Sequence, residues 1–205
     1  MHIVDGALSN PVVIAGAVAA VGGIAMGLRS LPLERIPAAG VLSASFFVAS
    51  LIHVPIGPSS VHLILNGLAG LVLGWAAFPA LFVGLLLQAV FFGFGGLTVL
   101  GVNAVNIALP AVLVGLAFRP LVVRGSPLHG AIWGGIGGAL AIALTTLAVA
   151  VSLMLSGDEF ILAAKLVFFS HIPVMVIEGL LSAAAIFLAR RVKPELFIDA
   201  RRPLT

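Results

Sequence analysis

The chain has 205 residues, 61% of them hydrophobic and only 8% charged, with a mean hydropathy of +1.28 and a formal net charge of +3. So few charges cannot cover a soluble domain of this size, so the composition is that of an integral membrane protein, and the slight positive excess excludes a nucleic-acid binder. The lack of cysteine removes disulfides, thiolate metal sites and thiol nucleophiles together, leaving nitrogen and oxygen as the only metal donors.

The chain opens Met1-His2-Ile3-Val4-Asp5-Gly6. A histidine at position two can chelate through the terminal amine, its own main-chain amide and an imidazole nitrogen. The amine and amide close a five-membered ring on the metal, and the amide and imidazole a six-membered one, so the donors lie nearly in a plane. Such a set suits Ni(II) and Cu(II), with Co(II) also accommodated, and leaves one corner open for a further imidazole. No Lys or Arg precedes Arg29, so the opening does not read as a secretory signal and is expected to be retained. The bulk of His2 discourages removal of Met1, which would then supply the amine.

Apolar stretches of spanning length, roughly 17 to 25 residues, fall near 9–28, 38–54, 60–76, 78–96, 104–121, 130–156 and 163–190. The expected fold is therefore all-α: a polytopic membrane bundle of seven transmembrane helices, forming one domain over 1–205. Residues 1–8 form the chelating segment, 9–190 the bundle and 191–205 a basic tail. The weakest break is Trp75-Ala76-Ala77-Phe78-Pro79, where a kinked single helix would give six. Seven spans place Arg29, Arg35, Arg119, Arg124, Arg190, Arg191, Lys193, Arg201 and Arg202 on one face, with Lys165 opposite. By the positive-inside rule the N-terminus is then outside and the C-terminus cytoplasmic.

In this arrangement His2, His53, His62 and His171 share the outer half, and only His129 is cytoplasmic. The connection from His53 to His62 is short, stiffened by Pro55 and Pro58. It ends in Ser59 and Ser60, expected to cap a helix carrying His62 in its first turn. His62 is the candidate for the fourth corner. The Gly93, Gly95, Gly96 and Gly101 run, with Thr98, Asn103 and Asn106, makes a poor continuous helix and is expected to pack over the site. Glu178 follows His171 by seven residues, about two turns, so the two share a face. A carboxylate at that depth must find a partner: it either relays protons or accepts structural hydrogen bonds, with Gln88 one candidate. Ala15, Ala19, Gly23 and Gly27 form a stripe suited to close packing of another helix.

These pieces together resemble the CbiM/NikM family, the substrate-capture components of energy-coupling-factor transporters for cobalt and nickel. The matching segments are Met1-His2-Ile3-x-Asp5-Gly6, His53-x-Pro55 with Ser60-Val-His62-Leu, Gly95-Gly96-Leu97-Thr98 with Gly101-Val-Asn103, and His171-Ile-Pro173 with Glu178-Gly179. The resemblance implies an N-terminal helix added to a six-helix core and an amino terminus tucked into the bundle from outside. It implies metal ligation by the Met1 amine, the His2 amide and imidazole, and the His62 imidazole. His53, Ser60, Thr98, Asn103, His171 and Glu178 would stand behind the ligands or along the access route. One departure is Phe92-Gly93-Phe94, where the family often carries a histidine or other polar residue, which puts a supporting role at that position in doubt.

The implied cargo is Co(II), with Ni(II) as the alternative, and no organic cofactor is expected. The implied partners are a transmembrane coupling subunit, two ATPase subunits and a small accessory membrane subunit, in a bacterial or archaeal cytoplasmic membrane. The capture subunit would topple in the membrane to release its ion inward. No Gly-x-x-x-x-Gly-Lys-[Ser/Thr] loop is present, so this chain does not hydrolyse ATP by that route and reads as a transporter subunit, not an enzyme. The competing reading is a self-sufficient secondary transporter driven by protons through Glu178 and His171. An intramembrane hydrolase lacks its motifs here.

Overall fold

The computed structural model describes residues 2–51, 53–56 and 59–197, with backbone alone at 53–56, 59, 60 and 158. The chain runs α1 (Asn10–Arg29), α2 (Ile36–Ala49), β1 (His53–Ile56), β2 (Ser59–His62), α3 (Asn66–Leu73), α4 (Ala77–Phe92), α5 (Leu100–Val123), α6 (Pro127–Met154), α7 (Ile161–Ser170) and α8 (Ile172–Val192). Short 3-10 turns at Leu33–Arg35, Gly74–Ala76, Asp158–Phe160 and Pro194–Phe197 join or extend these elements.

Helix α5 sits at the centre, packed against α1, α3, α4 and α6, while α6 packs in turn on α3, α7 and α8. Small residues make the crossings close, as they must where lipid supplies no hydrophobic drive between helices. Gly70 of α3 lies on Ala111 of α5, and Gly115 of α5 lies on Gly70, so a side chain at either position would strike the other helix's main chain. Gly135 and Gly179 face each other across α6 and α8 with slightly more room, so that a Cβ at either would only crowd the opposite carbonyl.

Five helical stretches are long and apolar enough to cross a membrane: Asn10–Arg29, Asn66–Phe92, Leu100–Val123, Pro127–Met154 and Ile161–Val192. The helical parts of the expected 60–76 and 78–96 segments thus join in one stretch, interrupted by the 3-10 turn at Gly74–Ala76, while 60–65 and 93–96 lie outside it. The 38–54 segment gives α2, whose 14 residues fall short of a span. The chain is a predominantly helical, multi-pass membrane protein.

One expectation is corrected within this helical fold. His53–Ile56 and Ser59–His62 pair as a short antiparallel hairpin with His53 opposite His62. His62 accordingly ends a strand, and the helix begins at Asn66, so Ser59 and Ser60 are strand residues and not its caps. The alternation through Ser59-Ser60-Val61-His62 suits a strand, and Pro55 keeps its partner short. The turn at residues 57–58 lies outside the described residues.

The stripe on α1 divides. Gly23 packs on Phe78 and Gly27 on Pro79, both buried, whereas Ala15 and Ala19 are exposed and line an open groove. A repeat of four drifts about 40° per step around a helix of 3.6 residues per turn, so it cannot stay on one face. The packing face is Gly16, Ala20, Gly23 and Gly27.

Arginines gather at one end. Arg35 donates to the Val72 carbonyl (3.4 Å), and Arg190 donates to the carbonyls of Val122 (2.8 Å), Gly125 (3.0 Å), Ser126 (3.0 Å) and Arg124 (3.3 Å). Both meet the carbonyl-rich C-terminal ends of helices, where positive charge is favoured. Helix α5, at 1.5 Å per residue, carries the chain roughly 36 Å from that end to its own N-terminus. At that N-terminus the opening residues dock.

Candidate metal centre

Helix α4 stops at Phe92 because Gly93 takes a left-handed conformation (φ +65°), and Gly95 (φ +76°) and Gly96 (φ +117°) continue the irregular path to α5. This loop wraps residues 2–5. The Asp5 amide donates to the Gly95 carbonyl (2.7 Å), and the Asp5 carboxylate accepts from the Thr98 hydroxyl and from the Val99 amide (3.3 Å). Val99 caps α5, so the carboxylate sits at that helix's positive end. Asn103, in the first turn of α5, receives the Ile3 N–H on Oδ1 (2.9 Å) and donates Nδ2 to the Ile3 carbonyl (3.0 Å). Ile3 is fully buried and Asn103 nearly so.

The glycines are required here by contact as well as by φ. A Cβ at Gly96 would fall on the Asp5 carboxylate, and one at Gly95 would crowd Asn103 Nδ2 and His2 Cβ. Gly96→Ala should therefore loosen the docked segment and weaken metal binding about tenfold. Gly93→Asn, left-handed but in open space, should leave it unchanged. Isothermal titration of the two variants checks the contrast.

The other half of the site comes from the hairpin. His62 is buried, and its Nδ1 donates to the Leu63 carbonyl (2.8 Å), which leaves Nε2 with the lone pair. Burial foremost, with neighbouring positive charge that includes His2 adding to it, holds His62 well below the ordinary histidine range, so it is neutral at neutral pH. The turn after it is fixed from α8. Glu178 Oε1 accepts from the amides of Ile64 (2.5 Å) and Leu65 (2.9 Å), and Oε2 accepts from Leu65 (3.1 Å). Leu65 itself is left-handed (φ +55°), and Asn66 anchors the helix start to the Ile107 carbonyl and the Thr145 hydroxyl, each at 2.8 Å. Glu178 thus holds the turn that leads into α3, just ahead of the helix's own first amides. Gln88 is not its partner; that amide donates to Ser50 Oγ.

The two halves meet at two imidazoles. The rings of His2 and His62 lie 4.6 Å apart, centroid to centroid, and 20° from parallel. Imidazoles bound through nitrogens about 2 Å from one ion would have centroids roughly 4.5 Å apart at neighbouring corners and roughly 6 Å at opposite corners. The observed spacing matches neighbouring corners and is at the same time that of two stacked rings. Phe94 also stacks near His2, with centroids 6.2 Å apart, and Phe92 stacks on Phe94 at 5.4 Å.

The remaining candidates are placed as follows. His171 occupies the joint between α7 and α8, fully buried, with Nδ1 donating to the Val167 carbonyl (2.6 Å) and Nε2 without a hydrogen-bond partner among the described residues. Helix α7 touches both strands of the hairpin, but no group of three or more His, Asp or Glu among the described residues is gathered to hold a metal. Backbone pairing sets His53 opposite His62, and Ser60 lies in β2; their side chains, like all of Met1, lie outside the described residues. Sequence reasoning missed two contributors. Asp5 stood in the opening motif, but its role depends on a helix start nearly a hundred residues away. Phe94 stood where a polar residue was expected and supplies a ring face instead.

Fold and site together define a polytopic membrane protein with a buried, imidazole-lined point at one end. The family profile described as the cobalt uptake substrate-specific transmembrane region, CbiM, matches residues 2–196, and the chain belongs to this family. It is 45% identical over 198 residues to a chain of Haemophilus influenzae named as a metal transport protein, covering 96% of each. It is 36% identical over 134 residues to the fused nickel transport protein NikMN of Rhodobacter capsulatus, covering 62% of this chain and 39% of that one. A crystal structure of a truncated transition metal transporter matches at a TM-score of 0.72 and 26% identity, covering 95% of this chain and 99% of that one.

Proposed function

We propose that this chain is the substrate-capture subunit of an ATP-driven, energy-coupling-factor importer, taking Co(II), or alternatively Ni(II), from outside the cell. The observation that carries this reading is the meeting of His2 and His62, buried and spaced as neighbouring ligands. The Met1 amine, the His2 amide and imidazole, and His62 Nε2 complete a planar set of four nitrogens. The docked segment 2–5 supports it, since it fixes the backbone whose nitrogens must bind. The membrane arrangement proposed with it has seven segments (α1, α2, α3, α4, α5, α6, and α7 with α8), of which α2 and α3 are shorter than a full crossing, with an outer N-terminus and a cytoplasmic C-terminus. The gathering of arginines at the end away from His2 is what that orientation requires.

Energy comes from partners: a transmembrane coupling subunit and two ATPase subunits, with a small accessory membrane subunit. The fused architecture named for the Rhodobacter relative supports a further module working beside this one. Cobalt is favoured by the family description, while planar nitrogen donors accept Ni(II) at least as readily by intrinsic affinity.

Metal content and Co/Ni competition on purified protein with its native amino terminus test the reading. One tightly held ion supports it and the competition names the cargo; none would end it. The pH dependence is a second check. With His62 already neutral, the protons displaced at neutral pH come from the amine, of pKa roughly 7.7–8.0, and the amide. Affinity should rise about a hundredfold per pH unit below that pKa and about tenfold above it. A flat profile from pH 7 to 9 would contradict the amine and amide as ligands.

A further inference from the structure

We infer that Asn103 determines which nitrogens of the opening segment can bind the ion; this rests on the proposed amino-terminal site. A chain beginning Met-His-Ile offers two chelating modes. In one the amine and His2 amide are joined by the His2 imidazole. In the other they are joined by the next main-chain nitrogen, that of Ile3, through a second five-membered ring, and the imidazole is left out. The second mode requires the Ile3 N–H to lose its proton.

Asn103 opposes that loss. Its Oδ1 takes the Ile3 N–H at 2.9 Å while its Nδ2 holds the Ile3 carbonyl at 3.0 Å, an arrangement that also fixes which end of the side-chain amide faces which group. Both residues are buried, so a deprotonated Ile3 nitrogen would turn its charge against Oδ1 with no water to relieve it. Neither can the side chain swing away easily. Asn103 lies in the first turn of α5, its own amide bonded to the Val99 carbonyl (2.9 Å), and Gly95 packs against Nδ2 and His2 Cβ together. The Ile3 nitrogen therefore stays protonated and the third corner goes to the His2 imidazole. That imidazole is the ring already set beside His62. Asn103 acts here as a positioning residue that selects the donor set without touching the ion.

The test is Ni(II) titration, with the protons released per ion counted from the pH dependence, on wild type, Asn103→Asp and Asn103→Leu with native amino termini, each measured with and without His2→Ala. Asn103→Asp keeps an acceptor for the Ile3 N–H and should release the same number of protons as wild type. Asn103→Leu should release one more, as the Ile3 nitrogen joins the set, and the visible band of the planar Ni(II) complex should shift to higher energy as an amide replaces an imidazole. His2→Ala should cost wild type about a hundredfold in affinity and Asn103→Leu less than about tenfold. A purely structural role would lower affinity in Asn103→Leu with proton count, band and His2 dependence unchanged, and that result overturns the inference. If wild type binds Ni(II) equally well after His2→Ala, the amino-terminal site is itself wrong and the inference falls with it.

Discussion

A chain extended by Gly-Ser ahead of Met1 will lose metal binding by about a hundredfold to a thousandfold, and His62→Ala will do the same. Nitrogen and thiolate sites of four donors are worth roughly 10–16 kcal/mol, or about 3 kcal/mol per donor, which corresponds to two to three decades in affinity. Extension turns the terminal amine into an ordinary amide and adds bulk where a buried segment enters the bundle. His62→Ala leaves the opening segment docked on Asn103, Gly95 and Thr98 but removes the only described imidazole ring stacked on His2. The two losses separate by stability. The extended chain strains the docked segment, whereas His62→Ala should fold with α3 intact, because Glu178 holds Ile64 and Leu65 through their backbone amides. Titration of each with Co(II) and Ni(II), beside a melting curve, gives the comparison. Full affinity in the extended chain would place the site elsewhere.

What could be read from the sequence differs by element. The membrane class followed from composition, and the proposal of a chelating segment rests on covalent chemistry, because three nitrogens of one dipeptide need no fold to be near each other. That His62 lies beside His2 is a matter of the fold, and its setting in a strand was not legible. A strand of four residues ending four positions before a helix looks, in an apolar stretch, like the helix's own first turn. Only the hairpin pairing with His53–Ile56, local but hidden in an apolar run, and the remote Glu178 carboxylate decide the matter. The stripe on α1 divides for a local reason, since spacing by four rotates around a helix: Gly23 and Gly27 pack within the chain and Ala15 and Ala19 face outward. The clasp on residues 3–5 lay partly open to reading: glycines at 95 and 96 marked an irregular loop, yet their purpose is set by the Asp5 carboxylate and Ile3 main chain that press against them.

Glu178→Leu should destabilise the protein by about 2–6 kcal/mol, and Glu178→Gln by far less. The carboxylate is fully buried and accepts from two main-chain amides, and each amide left without an acceptor costs about 1–3 kcal/mol. Glutamine keeps a carbonyl oxygen in the same place and loses only the charge assistance. Leu65 is already left-handed, so releasing its amide frees the turn between His62 and α3, and metal affinity should fall with stability in the leucine variant. The glutamine variant should bind metal near the wild-type level and, if the proposed coupling and ATPase subunits are its partners, support ATP-driven uptake with them. A carboxylate used as a proton relay gives the opposite pattern. Glutamine cannot exchange the proton, so transport would stop while folding and metal binding continued. Uptake in reconstituted vesicles, measured beside binding and melting for both variants, therefore distinguishes a carboxylate that shapes the site from one that powers it. The hydrogen bonds to Ile64 and Leu65 occupy both carboxylate oxygens and favour the first.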